Sequence, residues 1–143
     1  MSKSDTFEND LLKLIFNGTA IANVADNAVT SPLTNLYVAL HTADPGEAGT
    51  QSTSEAAYTG YARVAVARTS GGWTVTANSV SPTAAIEFGE MTGGTGATAT
   101  YATIGVAASG AGKVLYRGAL TPSIAYALGV IPRIKTTSTI TEE

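Results

Sequence analysis

The chain reads as a mainly β protein, an antiparallel β-sandwich or jelly-roll-like barrel of six to eight short strands preceded by one N-terminal helix. Three observations predict this class. Apolar residues follow a helical period only before Gly18 and alternate with a period of two after it. Gly, Pro, Asn and Ser clusters then interrupt the chain about every ten residues, the spacing of strands in sandwiches and barrels. No strand–helix–strand alternation, heptad pattern or internal repeat is present. The organisation expected is a docking helix over 1–18 and a single β-domain over 19–143.

The helix is expected over 5–17. Phe7, Leu11, Leu14 and Ile15 fall on one stripe, and Leu12 and Phe16 widen it. Asp5 is the expected cap, with Glu8 three residues on, and Asn17-Gly18 is the stop signal. So wide an apolar face implies a helix that is sandwiched or docked on a partner, so that removal of 1–17 should leave a folded β-domain. A strand follows Ser31-Pro32, with Leu36, Val38 and Leu40 alternating with Tyr37, Ala39 and His41. Residues 43–60 hold a Pro-Gly turn and a polar stretch, expected to be mobile or ordered only by a neighbour.

Alternation resumes from Tyr61 to Thr69, and Gly71-Gly72 reads as a hairpin connection into a strand over 73–77. Trp73 should share a core-facing row with Val75 and Ala77. Further strands are expected at 84–88, 99–107 and 113–120. The segment 124–131 is ambiguous between helix and strand, Pro132 breaks it, and 133–140 can supply an edge strand.

Composition excludes several functions. Charged residues make up 13% of the chain, about half the usual level, so the surface must be largely Thr, Ser, Ala and Gly, which suits packing against other subunits. A net charge of −3 offers no basic field for nucleic acid. The absence of cysteine rules out disulfides and thiolate metal sites. No apolar run is long enough to span a bilayer as a helix and no signal-peptide pattern opens the chain; no membrane partner is expected, and the protein is expected to be made and kept in cytoplasm, or assembled there into something later released.

Chemistry-bearing residues are few. His41, the sole histidine, lies near Asp44 and Glu47. It can be a general base held by a carboxylate, or a strand-end residue whose ring is hydrogen-bonded near the turn; the second reading is preferred, because no nucleophile elbow accompanies it. The carboxylates Asp44, Glu47 and Glu55 share one loop and Glu87 and Glu90 flank another, so a glycosidase pair or a calcium loop has to be weighed. Neither the aromatic lining nor the acidic density is adequate. Ser109-Gly-Ala-Gly-Lys113 lacks the Gly and the Ser or Thr of a phosphate loop and reads as a hairpin turn. Arg63 sits among apolar strand neighbours and can pair with Glu55, with Glu87 or with a neighbouring subunit. No catalytic residue, metal ligand or cofactor is assigned. The candidate interface residues are Phe7, Leu11, Leu14, Tyr37, Tyr58, Tyr61 and Arg63, since aromatic and Arg side chains are enriched at interfaces.

The stretches Leu36-Tyr-Val-Ala-Leu-His-Thr-Ala-Asp-Pro-Gly-Glu47 and Tyr58-Thr-Gly-Tyr-Ala-Arg-Val-Ala-Val66, with Trp73, resemble a family of small tailed-bacteriophage proteins commonly labelled phage tail fibre protein. The resemblance runs from the helix to about Leu120. It implies a non-enzymatic virion component present in many copies, with other copies of itself and the major capsid protein or tail proteins as partners. A fibre normally carries repeats, a coiled-coil or a β-helical shaft, and this chain shows one compact domain. Capsid decoration is therefore the expected role, with a tail component as the alternative and a cell-wall-degrading tail enzyme as a weaker one.

Overall fold

The computed structural model describes residues 4–21 and 32–142; Ser31 of the expected strand entry lies outside them, as do the side chains of Asp5 and Phe7. Among the described residues there is one helix, α1 (Asp5–Asn17), and nine strands: β1 (Asn35–His41), β2 (Val64–Ala67), β3 (Trp73–Thr76), β4 (Ser79–Pro82), β5 (Ile86–Glu87), β6 (Ala97–Gly105), β7 (Val114–Tyr126), β8 (Arg133–Ile134) and β9 (Ile140–Thr141). They form sheets ordered β2-β1-β6-β7, β3-β4-β9 and β5-β8, and every register described is antiparallel. The mainly β class with one leading helix is thus as expected. No described helix is long and apolar enough to cross a membrane.

The chain divides into two compact units, one comprising residues 1–35, 66–86 and 134–143 and the other residues 36–65 and 87–133. In the first, α1 starts at Asp5 as expected but its cap lies one residue earlier, because the Ser4 carbonyl accepts the Glu8 N–H at 3.0 Å. Ser4 therefore holds the cap position. Gly18, at φ +64°, closes the helix. Arg68 then secures that end: its Nε donates to the Ile15 carbonyl at 2.6 Å and its Nη2 donates to the Leu14 carbonyl. A cation on the last carbonyls satisfies groups a helix otherwise leaves orphaned.

Leu12 and Phe16 are fully buried, and the Phe16 ring meets Trp73 edge-on with centroids 4.8 Å apart. The wide apolar face thus has an occupant inside the chain, the β3–β4 hairpin. That hairpin turns through Ala77-Asn78, with Trp73 opposite Pro82 and Thr76 opposite Ser79. Ala77 has φ +52° and is exposed, so it belongs to the turn and not to the core row expected of it. Asn78 Nδ2 bonds the Glu142 carbonyl at 2.9 Å beside the β9 pairing. Gly71-Gly72 joins strands of different sheets and so is not a hairpin connection. Gly72 is required because a Cβ there would lie 2.1 Å from the Ala67 carbonyl oxygen.

In the second unit β6 and β7 form a hairpin, with β1 paired on the other side of β6 from Tyr37 opposite Gly105 to His41 opposite Tyr101. Ala99 pairs with Ile124 while Tyr101 pairs with Ala119, so residues 120–123 of β7 bulge against Thr100 alone. Thr121–Pro122 is a cis peptide within this bulge. Bulges and edge prolines blunt an open sheet edge against unwanted strand addition. The two-residue strands β5, β8 and β9 take the count past the six to eight expected.

Trp73 is 2% exposed, and its buried Nε1–H has no acceptor among the described residues. Phe can therefore replace it without breaking a hydrogen bond, whereas Ala leaves a cavity. Trp73→Ala should cost about 3–5 kcal/mol in denaturant unfolding and Trp73→Phe much less. Removing residues 1–17 should uncover the ring, seen as a red-shifted Trp emission and a lowered melting temperature; an unchanged spectrum would show that the helix is dispensable to this core.

Candidate functional site

The polar segment 43–60 lies wholly in the second unit and is pinned there, against the expectation of mobility. Its return strand re-pairs with the end of β1: Thr42 N–H donates to the Ser54 carbonyl and Ala56 N–H to the Leu40 carbonyl, both at 2.8 Å. His41 is fully buried between two partners, with Nδ1 2.8 Å from the Thr53 carbonyl and Nε2 2.8 Å from the Thr103 hydroxyl. A carbonyl only accepts, so Nδ1 carries the proton and Nε2 receives the Thr103 O–H. Burial holds the imidazole pKa below its ordinary value; the Thr53 carbonyl and Glu55 oppose that shift and Arg63 reinforces it.

One carboxylate gathers the rest. Glu55 accepts Arg63 Nε at 2.7 Å and Nη2 at 2.8 Å, and also the Tyr61 hydroxyl at 3.0 Å. The Tyr61 oxygen in turn accepts the Leu40 N–H at 3.0 Å, while burial, the largest cause, pushes its phenol pKa well above the usual range. The free faces of the guanidinium reach the hairpin turn, donating to the Ala107 carbonyl at 3.0 Å and the Gly110 carbonyl at 2.7 Å. Of the three partners open to Arg63 in the sequence, Glu55 is the one it takes. The planar fork meets the carboxylate with two nitrogens, a geometry Lys cannot supply.

Gln51 completes the closure and has no signal in the sequence. It is fully buried; its Oε1 accepts the Ala107 N–H at 2.9 Å and its own N–H donates to the Gly112 carbonyl at 2.9 Å. A Cβ on Gly105 would lie 2.2 Å from its Cδ, and one on Gly112 would lie 2.2 Å from Oε1. Outside, Asp44 receives Arg117 Nη1 at 2.7 and 2.8 Å, with Glu47 3.9 Å from the same guanidinium. The Gly46 N–H, more than Arg117, draws the Asp44 pKa down. With Thr50 bridging Lys113, these contacts cover the start of the β7 edge.

Four of the five carboxylates considered for hydrolysis are tied to arginines, Asp44 and Glu47 to Arg117, Glu55 to Arg63 and Glu87 to Arg133, while Glu90 is exposed with no ion pair among the described residues. Among the described residues no His, Asp and Glu side chains cluster closely enough to hold a metal ion.

The interface candidates separate. Tyr58 and Arg63 are buried, and Tyr58 donates to the Gly89 carbonyl at 2.8 Å. Tyr58 also packs on Tyr61 and Tyr126, and Tyr61 stacks on Phe88, with centroid distances of 5.4, 4.9 and 6.0 Å. Leu11, Leu14 and Tyr37 are half-buried, and the Phe7 side chain lies outside the described set.

The apolar surface offered to solvent in this unit is elsewhere, in the turn Ala127-Leu128-Gly129-Val130. Leu128 is 73% exposed and is followed by Val130 at 37% and Ile131 at 48%. Val130 N–H donates to the Ala127 carbonyl at 2.9 Å, with Gly129 at φ +79°, the conformation a type II turn asks of its third residue. The turn is laced to its neighbour: Gly129 N–H donates to the Met91 carbonyl, Met91 N–H to the Val130 carbonyl and Phe88 N–H to the Pro132 carbonyl, all at 2.9 Å. The dipeptide Leu128-Gly129 was a findable turn signal, masked by the apolar run around it.

Two tests follow from the buried network. Glu55→Ala leaves a guanidinium without its carboxylate and should cost about 3–5 kcal/mol, with limited proteolysis now cutting within 43–60, a segment that resists in the parent. His41 titrates below its ordinary value because the neutral ring is the one buried. Its contribution is complete above about pH 6.5 and is lost as pH falls below that toward the folded value. The melting temperature should drop from pH 7.5 to pH 5 by more in the parent than in His41→Gln; equal slopes would remove His41 as the cause.

The comparison with known families places this geometry. Residues 2–141 match the family described as Podophage GP4 fiber I protein gp80. No match was found among curated proteins. With all but the terminal residues covered by the match, the chain belongs to the Podophage GP4 fiber I protein gp80 family, a family of phage fibre-type structural proteins.

Proposed function

We propose that this chain is a non-enzymatic, tail-associated structural component of a bacteriophage virion, of the fibre type. The observation that carries the proposal is the family match over residues 2–141, whose description names a fibre protein. That description weighs for the tail against capsid decoration, the role expected from the chain's compactness and lack of repeats. Compactness distinguishes the two poorly, because a fibre or its attachment piece can also be assembled from small globular modules. The non-enzymatic reading draws on the site: the sole imidazole is buried on two internal partners, and all the carboxylates weighed as catalytic except Glu90 are held by arginines.

On this reading the protein is built into particles in the host cytoplasm and contacts tail proteins and other copies of itself. It uses no cofactor, and its low charge gives it no hold on nucleic acid. Leu11, Leu14 and Tyr37, half-buried in the isolated chain, remain available to such contacts.

Quantitative mass spectrometry of purified particles, separated into head and tail fractions, tests the assignment. Closed tail symmetries predict about three to a few dozen copies per particle, all in the tail fraction. Hundreds of copies following the head would overturn it in favour of decoration.

A further inference from the structure

We propose that the turn 127–131 anchors the chain in a partner protein, seating Leu128 and Ile131 in an apolar socket whose rim carries lysine or arginine. This rests on the tail-component reading and adds to it the contact surface and the chemistry of what receives it.

Single exposed apolar residues are ordinary on protein surfaces, but this turn differs in two respects. It brings three branched aliphatic side chains to solvent within four residues of a chain whose other described large apolar side chains, Leu33 apart, are at least partly covered. It is also held by backbone hydrogen bonds to the 88–91 segment at Gly129, Val130 and Pro132. An anchor already ordered before binding loses little conformational entropy when it is seated.

Charge and size select the occupant. Glu87 is neutralised by Arg133, but Glu90, one residue before the Met91 that pairs with Val130, is exposed and unpaired among the described residues. The patch is thus apolar with an acidic margin, and the complementary rim is basic. An anionic bilayer would be repelled by that acid, and the turn has neither Trp nor a basic residue to hold a headgroup region. A saccharide would want exposed aromatic faces, yet the Tyr58, Tyr126 and Phe88 rings are buried. A second copy meeting turn to turn would cover far less than the roughly 1,200 Å² that stable association requires. Three aliphatic side chains are instead the right size for the central anchor of a larger interface with a different protein.

The test uses full-length chain supplied to phage lacking its own copy. Leu128→Asp, Leu128→Met and Glu90→Lys are compared with the parent for incorporation into purified particles, by immunoblot, and for melting and oligomeric state of the free protein. Because Leu128 is largely solvated, Leu128→Asp should melt like the parent; Leu128→Ser replaces it should it not. Incorporation should fall about thirtyfold for the charged variant, as for loss of a central anchor, stay near parental for Leu128→Met and drop for Glu90→Lys.

Parental incorporation of Leu128→Asp would overturn the proposal. So would a free oligomer of the parent that Leu128→Asp dissolves, since a second copy would then be the occupant. Leu128-dependent binding to phosphatidylethanolamine–phosphatidylglycerol vesicles would overturn it in favour of a membrane, and gain of incorporation by Glu90→Lys would overturn the basic rim. Absence of the parental chain itself from tails would instead fail the tail reading on which the proposal stands.

Discussion

The buried Glu55–Arg63 pair is the interaction on which the second unit's loop architecture depends. It joins the return arm of the 43–60 excursion and the approach to β2, eight residues on, to the carbonyls of the β6–β7 turn more than forty residues further along the chain. A charge pair taken out of water repays its desolvation only when the remaining donors and acceptors are satisfied. Here they are: the carboxylate also accepts Tyr61, and the guanidinium also serves two backbone carbonyls. Removing either partner would leave the other charge buried and unpaired, which holds these loops to this arrangement.

The same logic explains how a Ser-, Thr- and Gly-rich segment is ordered when it buries few apolar side chains, Ala56 and Tyr58 among them. Its backbone is returned to β1, its Gln51 amide fills the space left by Gly105 and Gly112, and His41 spans from Thr53 to Thr103. The polar residues satisfy one another inside, and the charges left outside, Asp44 and Glu47, face Arg117. A virion component with such a surface offers little to non-specific electrostatic capture and leaves binding to localised features. The laced turn at Leu128 is the most conspicuous of these in its unit.

The first unit reaches stability by a different route. Leu12 and Phe16 close over Trp73, and Arg68 ties down the helix end that Gly18 terminates. The apolar stripe of α1 reads in sequence as a surface for a partner, but a stripe does not say whether the partner is another chain or the same one. A hairpin more than fifty residues away takes the central residues and leaves Leu11 and Leu14 at the margin.

Local pattern alone determined a good deal. Helical spacing bounded by Asn17-Gly18 marked α1 to the residue, period-two alternation marked β1, and the Gly-rich turns placed β6 and the start of β7. Trp73 after a glycine pair marked the core. These are short-range consequences of backbone period and glycine conformation, which residues carry with them. Only the tertiary structure decided the rest. β4 escaped notice because Ser79, Ser81 and Pro82 lack strand propensity, and its hairpin turn uses Ala77 at positive φ where Gly would have announced it. Gln51, Arg63 and the exposure of Leu128 depend on which distant segments come to lie beside them. A side chain's type states what partner it can satisfy, and only the folded chain states whether that partner is within reach.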